Sequence, residues 1–180
     1  MIGSFQKDGV GWGEGLEPKL IKGPDLFVET LAKLKHLHPL VLLTGPARGY
    51  VKRGLDQLGI DYKHFYLKTI AELPEMYQAL DLYLITSRLE GGPKALLEAW
   101  ASGIPVVSTQ VGMVPDVGTH QTDVLISNSF DIQPIADLAL GIHDDELKKN
   151  QLITHANEAV TRYDWINIAK HYHALLYSNS

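Results

Sequence analysis

Short unbroken apolar runs alternate along this chain with longer stretches in which apolar residues return every three or four positions. Runs such as Leu40-Val-Leu-Leu-Thr44 and Leu82-Tyr-Leu-Ile-Thr86 are too short for helices and show no in-out alternation, which marks strands buried on both faces. The pattern predicts strands near 1–5, 40–44, 62–67, 82–86, 105–108 and 123–126, and helices near 24–37, 48–59, 71–80, 93–102, 131–142, 145–161 and 164–178. Pro24 and Pro93 fit the first position of a helix, where a missing N–H costs nothing. Asp131 suits an N-cap, and Gly59 and Gly103 suit helix ends.

Strands alternating with helices imply a parallel sheet wrapped on both faces, and 180 residues suit one domain spanning 1–180. The expected architecture is α/β and Rossmann-like, six strands in the order 3-2-1-4-5-6. In such a sheet the ligand crevice opens at the carboxyl ends of the strands where the order reverses, between strands one and four. That reversal brings the loop carrying Lys7 beside the loop carrying Glu90.

Composition narrows the classes. Hydrophobic residues make up 45% and charged residues 21%, which is ordinary globular content. A formal charge of -5 argues against nucleic acid as a partner. The basic stretch 33–38 reads as a solvated helix face. With no cysteine there is no disulfide framework or thiolate metal site. No apolar run approaches the roughly 20 residues that cross a bilayer, and the start lacks the pattern of a secretory signal. A cytoplasmic chain, at most peripheral to a membrane, is the expectation.

The densest chemistry lies in Thr86-Ser-Arg-Leu-Glu90-Gly-Gly-Pro-Lys-Ala-Leu-Leu-Glu98-Ala-Trp-Ala-Ser-Gly-Ile-Pro-Val-Val107. Two carboxylates flank a Gly91-Gly92-Pro93 helix start, whose Lys94 and Ala95 amides should point out unpaired. Bare amides at the positive end of a helix attract phosphate, and carboxylates accept from sugar hydroxyls. A sugar joined to a nucleotide through phosphates satisfies both. Taken structurally, Glu90 is an exposed loop acid, Glu98 a helix acid paired with Lys94 one turn earlier, and the glycines are simple turn formers.

Joined to Ile21-Lys22-Gly23-Pro24-Asp25 upstream, this stretch resembles the donor-binding, C-terminal half of the GT-B glycosyltransferases, in the group 1 (family 4) type. The resemblance covers about residues 1–127 and extends more weakly through Tyr163-Asp164-Trp165 to the end. It implies transfer of a sugar from a nucleoside diphosphate sugar to an acceptor hydroxyl with retention at the anomeric carbon. It places Glu90 on the transferred sugar, Glu98 on the ribose and Lys7 and Lys22 on the diphosphate. It also places Thr69 and Ile70, in Leu67-Lys-Thr-Ile70, on the base. The spacing between Lys7 and Lys22 is longer than usual in the family, and Arg is more usual in the place of Lys7.

A complete GT-B enzyme has a second α/β domain holding the acceptor. The resemblance therefore implies an N-terminal partner domain in cis, with the helix near 164–178 crossing toward it, and little turnover by this portion alone. The other readings are a nucleotide-binding or scaffold domain without catalysis, and a domain of the UDP-sugar epimerase type.

The remaining features are weaker. Glycines 9, 11, 13 and 15 match neither G-x-G-x-x-G nor a P-loop, and the segment reads as a mobile flap or insertion over the site. Trp12 in it either covers a ligand or pins the loop. Thr44 and Gly45 stand where a dinucleotide-binding fold needs an acid, which counts against such a cofactor. Arg48 reads as a surface residue at a helix start. The eight histidines form no metal pattern and Asp-x-Asp does not occur. No metal or other cofactor is expected, with lysines and the helix dipole neutralising the diphosphate.

Overall fold

In the computed structural model, which describes residues 1–177, six strands form one sheet in the order β3-β2-β1-β4-β5-β6. They are β1 (Ile2–Phe5), β2 (Val41–Thr44), β3 (Tyr62–Phe65), β4 (Leu82–Ile85), β5 (Val106–Thr109) and β6 (Leu125–Ser127). Every pairing is parallel, and Ile2 faces Val41 on one side and Leu82 on the other. The helices are α1 (Pro24–Leu34), α2 (Gly49–Leu58), α3 (Leu73–Gln78), α4 (Lys94–Ala101), α5 (Val114–Val117), α6 (Ile132–His143), α7 (Glu146–Val160) and α8 (Trp165–Tyr177).

Architecture and strand order agree with the expectation, and the differences are local. The third strand stops at Phe65 rather than 67. The first helix tightens into a 3-10 turn over Lys35–Leu37, and α3 is preceded by another over Ile70–Glu72. Pro93 is the extended N-cap of α4, not its first helical residue. Asp131 holds the N-cap place of α6, but its carboxylate accepts from Ser129 Oγ at 2.6 Å instead of capping. The short α5 has too few turns to register as a period in the sequence. The predicted last residue of the final helix, 178, lies outside the described residues.

Why the central strands are apolar throughout is visible in the core. Leu43, Val41, Leu82, Leu84 and Val107 point to one face and meet α1, α2 and α6 through Phe27, Leu31, Leu55 and Ile135. Their neighbours Leu42, Tyr83, Ile85 and Val106 point to the other and meet Tyr77, Leu96 and Trp100. Edge strand β3 alternates between half-buried and exposed residues because only one face is covered. By contrast α8 buries none of its described residues; Trp165, Leu175 and Leu176 are exposed. Among the described residues no helix is long and apolar enough to cross a membrane.

Two sequence expectations are corrected at the carboxyl ends of β1 and β2. Arg48 is not on the surface: its guanidinium is wholly buried and donates to Ser4 O at 2.6 Å, Thr44 O at 3.0 Å and Ser4 Oγ at 3.2 Å. It also lies 3.0 Å from the equally buried Asp8 carboxylate. That approach is an ion pair rather than an aligned hydrogen bond, since neither Asp8 oxygen has a hydrogen-bond partner among the described residues. Burial accordingly outweighs the attraction of Arg48 and pushes the Asp8 pKa up from 3.8 to about 6.

The glycine-rich segment is fastened down, not loose. Its ends pair antiparallel at Gly9 and Pro18. Glu14 O and Gly15 O accept from the first amides of α2, Gly49 at 2.6 Å and Tyr50 at 2.8 Å. Gly15 has φ +73°, and a Cβ there would lie 2.2 Å from Ala47 O, so no side chain fits. Trp12, 84% exposed, does not pin the loop.

Removing one member of a buried ion pair leaves an uncompensated charge. Arg48→Met is expected to cost about 3–5 kcal/mol in urea unfolding at pH 8, with Asp8→Asn in the same chain recovering much of it. Because its folded pKa is raised, Asp8 stabilises in its protonated form, fully below pH 3.8 and no longer once pH has risen through about 6. Asp8→Asn should therefore flatten whatever loss of unfolding free energy wild type shows between pH 4 and 6. An unchanged slope would refute the assignment.

Candidate functional site

The cleft of interest opens at the carboxyl ends of β1 and β4, where the strand order reverses. It encloses about 410 Å³ and is lined by Phe5 at the end of β1 and Gln6 after it, Tyr83, Leu84 and Ile85 of β4, Leu73 of α3, Glu90 and Gly92, and the start of α4 with Pro93, Lys94, Ala95 and Glu98. A larger cavity of about 530 Å³ lies near Met1 and Asp81, at the amino ends of the strands. Open sheets of this kind bind ligands at the opposite end.

Glu90 and Glu98 share the cleft, and Lys22 joins them by donating from Nζ to Glu90 Oε1. This lysine reaches Glu90 because its segment is stitched to the β4–α4 loop. Ile21 O accepts from the amides of Arg88 at 2.8 Å and Leu89 at 3.1 Å, and Thr86 Oγ1 donates to Gly23 O at 2.9 Å. The Arg88 guanidinium donates to both Asp25 oxygens, at 2.7 and 2.6 Å, and to Leu20 O at 2.9 Å. Burial works to raise the Asp25 pKa, but the two bonds and the charge of Arg88 prevail and hold it below the usual carboxylate range.

Gly23 makes the stitch possible. It sits between a 3-10 turn (Leu20–Lys22) and α1 at φ +61°, and a Cβ would stand 1.8 Å from Thr86 O. Any other residue meets both the left-handed backbone and the carbonyl wall. Within the cleft lining Gln6 Nε2 donates to Lys22 O at 3.1 Å, tying the turn to the end of β1 as well.

Glu98 is not paired with Lys94. Tyr77 Oη of α3 donates to Glu98 Oε2 at 2.9 Å. The Tyr77 ring packs against Phe5 at 4.8 Å and Tyr83 at 5.2 Å between centroids, and Tyr83 Oη accepts from the Phe5 amide at 2.8 Å. Burial holds the Tyr77 phenol far above its usual pKa, with Tyr83 and Glu98 adding to the effect, so it stays a donor. At the start of α4 the Lys94 and Ala95 amides precede the first intrahelical bonds, and both residues line the cleft.

The other expected residues lie elsewhere. Lys7 Nζ stands 3.6 Å above the centre of the Trp12 ring and does not line the cleft. Gly91 is exposed beside the cleft and outside its lining. Thr69 and Ile70 are exposed, and Thr69 forms a capping box with Glu72; from that segment it is Leu73 that reaches the lining. Among the described residues no three His, Asp or Glu side chains converge as a metal site. Sequence reasoning missed Tyr77, Arg88, Asp25 and Gln6. Arg88 and Asp25 sat within quoted motifs, but nothing local to them announces a pair 63 residues apart.

Similarity to known proteins follows the same residues. A family model described as glycosyl transferases group 1 matches residues 16–159. The lipopolysaccharide core biosynthesis mannosyltransferase LpsB of Rhizobium meliloti is 31% identical over 136 residues, 69% of this chain and 38% of that protein. A D-inositol 3-phosphate glycosyltransferase of Corynebacterium urealyticum is 28% identical over 163 residues, 83% of this chain and again 38% of that protein. The chain thus spans well under half the length of these relatives. In fold, HepE of Anabaena, solved in complex with UDP, superposes with a TM-score of 0.80 at 22% identity over 98% of this chain and 48% of that one.

If the Gly23 approach sets the geometry, Gly23→Ala should lower unfolding free energy by about 2 kcal/mol or more, read by urea denaturation. A loss under about 0.5 kcal/mol would show that the stitch relaxes freely.

Proposed function

The chain belongs to the group 1 glycosyl transferases, and on that premise we propose that it is the donor-binding half of a retaining enzyme that moves a sugar from a nucleoside diphosphate sugar to an acceptor hydroxyl. The observation carrying this reading is the meeting of Lys22, Glu90, Glu98 and the start of α4 around one cleft. HepE, which shares the fold, has been crystallised with UDP and with UDP-glucose. The proposed complement is an N-terminal domain of the same polypeptide that holds the acceptor.

In the proposed complex the diphosphate lies at the start of α4, where the Lys94 and Ala95 amides and the helix dipole meet its charge. Glu98 accepts from the ribose hydroxyls, and Glu90 orients the transferred sugar. Lys22 sits between Glu90 and the diphosphate, and Lys7, released from Trp12, adds a second cation. Gly91 and Gly92 give close access, and the segment with Thr69, Ile70 and Leu73 meets the base.

As the anomeric C–O bond breaks, negative charge grows on the leaving diphosphate. Fixed cations and amides stabilise that charge more than they stabilise the bound donor, which is what lowers the barrier. The acceptor hydroxyl passes its proton to a departing phosphate oxygen and attacks from the same face, so configuration is retained. No divalent ion is assigned a part.

Calorimetric titration of UDP, GDP and ADP and their sugars is expected to show binding of at least one, unchanged by EDTA. Absence of binding at millimolar concentration removes the reading. Lys22→Ala should weaken the nucleotide diphosphate roughly tenfold, in keeping with a charge-assisted contact. Glu90→Gln should act in the opposite sense on the sugar-free diphosphate: freed of its carboxylate partner, Lys22 turns to the phosphate, and affinity for UDP or its counterpart rises while the preference for the sugar-bearing donor falls. Equal losses for both ligands would contradict the arrangement.

A further inference from the structure

We infer that Tyr77 is a positioning residue for Glu98, aiming its carboxylate at the ribose diol and so setting how strongly the site distinguishes ribonucleotides from nucleotides lacking those hydroxyls. The inference rests on the reading of Glu98 as the ribose acceptor.

A glutamate on a helix surface has several rotamers, and each that turns from the cleft diminishes what a bound ribose can gain. Here one oxygen, Oε2, accepts from Tyr77 Oη at 2.9 Å. The phenol can swing little: its side chain is 1% exposed, and its ring is held edge-on by Phe5 and tilted against Tyr83. Phe5 ends β1 and Tyr83 lies in β4, and the two are joined by the Phe5 amide on Tyr83 Oη. The carboxylate is thereby referred to the two strands that flank the crevice, not only to its own helix.

Only one oxygen is used in this way, so Oε1 and the remaining lone pair of Oε2 are left for two vicinal hydroxyl donors. The phenol remains protonated throughout the working range because burial holds it so, and it serves as donor only. Without it, Lys94, one turn earlier on α4 and exposed, becomes a competing partner that draws the carboxylate outward.

The test uses the chain as it stands. UDP, GDP and ADP are titrated into wild type, and the tightest is carried forward with its 2′,3′-dideoxy analogue into Tyr77→Phe, Glu98→Gln and the double variant. Phenylalanine keeps the packed ring, and near-UV circular dichroism checks that the fold is kept. Tyr77→Phe is expected to lower affinity for the ribonucleotide roughly three- to tenfold and for the dideoxy analogue less than about twofold. In the Glu98→Gln background it should have no further effect, the signature of coupling through that carboxylate. An equal loss on both ligands, or no loss on either, overturns the inference while leaving the donor site in place. If Glu98→Gln itself leaves ribonucleotide affinity unchanged, the Glu98 assignment falls and takes this inference with it.

Discussion

Everything at the cleft depends on one main-chain seam, where the turn before α1 lies against the loop leaving β4. Ile21 O receives two amides from that loop, Gly23 O receives the Thr86 hydroxyl, and only the absence of a side chain at Gly23 lets the two backbones come so close. The two bonds to Ile21 O are main chain on both sides and hold position independently of rotamer. The side chains they carry, Lys22 on one bank and Glu90 on the other, then face each other as a matter of backbone geometry. The bidentate Arg88–Asp25 pair sits on the same seam and closes its outer side.

Two different kinds of support hold the floor of the cleft. Beneath Glu98 it is aromatic: Phe5, Tyr77 and Tyr83 fill space with rigid rings and place two hydroxyls where backbone and carboxylate need them. Beneath the loop after β1 it is ionic, with Arg48 holding the carbonyls of Ser4 in β1 and of Thr44 at the end of β2 and facing a carboxylate that burial would rather see neutral. The first kind contributes packing at little electrostatic cost. The second trades stability for a fixed chain direction at the point where the loop leaves the sheet.

The legible parts were those whose cause is local. Continuous apolar strands and helical periods foretold the parallel sheet, because a strand covered on both faces has no freedom to be polar on either, while its order was taken from the common arrangement of such sheets. Glu90, Glu98 and the α4 start stand within one short motif, and their shared cleft follows from a strand, a loop and a helix in succession. Lys22 was legible only through the resemblance, while Lys7 was read without knowing that Trp12 would hold it. Tyr77 and Arg48 were opaque for a common reason. Their partners are brought near by the tertiary fold, and a tyrosine on an amphipathic helix or an arginine at a helix start looks the same whether it ends in solvent or in the core.

The glycine-rich loop has a consequence for where negative charge can settle. Among the helices that begin at this end of the sheet are α1, α2 and α4, the three that follow β1, β2 and β4. The first amides of α2 are filled by the loop's own carbonyls from Glu14 and Gly15, and the first turn of α1 already faces the carboxylate of Asp25. Among the three, α4 alone keeps its opening turn without such an internal occupant. The loop thus fills the start of α2 from within the chain, so that a negative group approaching this end of the sheet would meet the opening turn of α4 rather than that of α2.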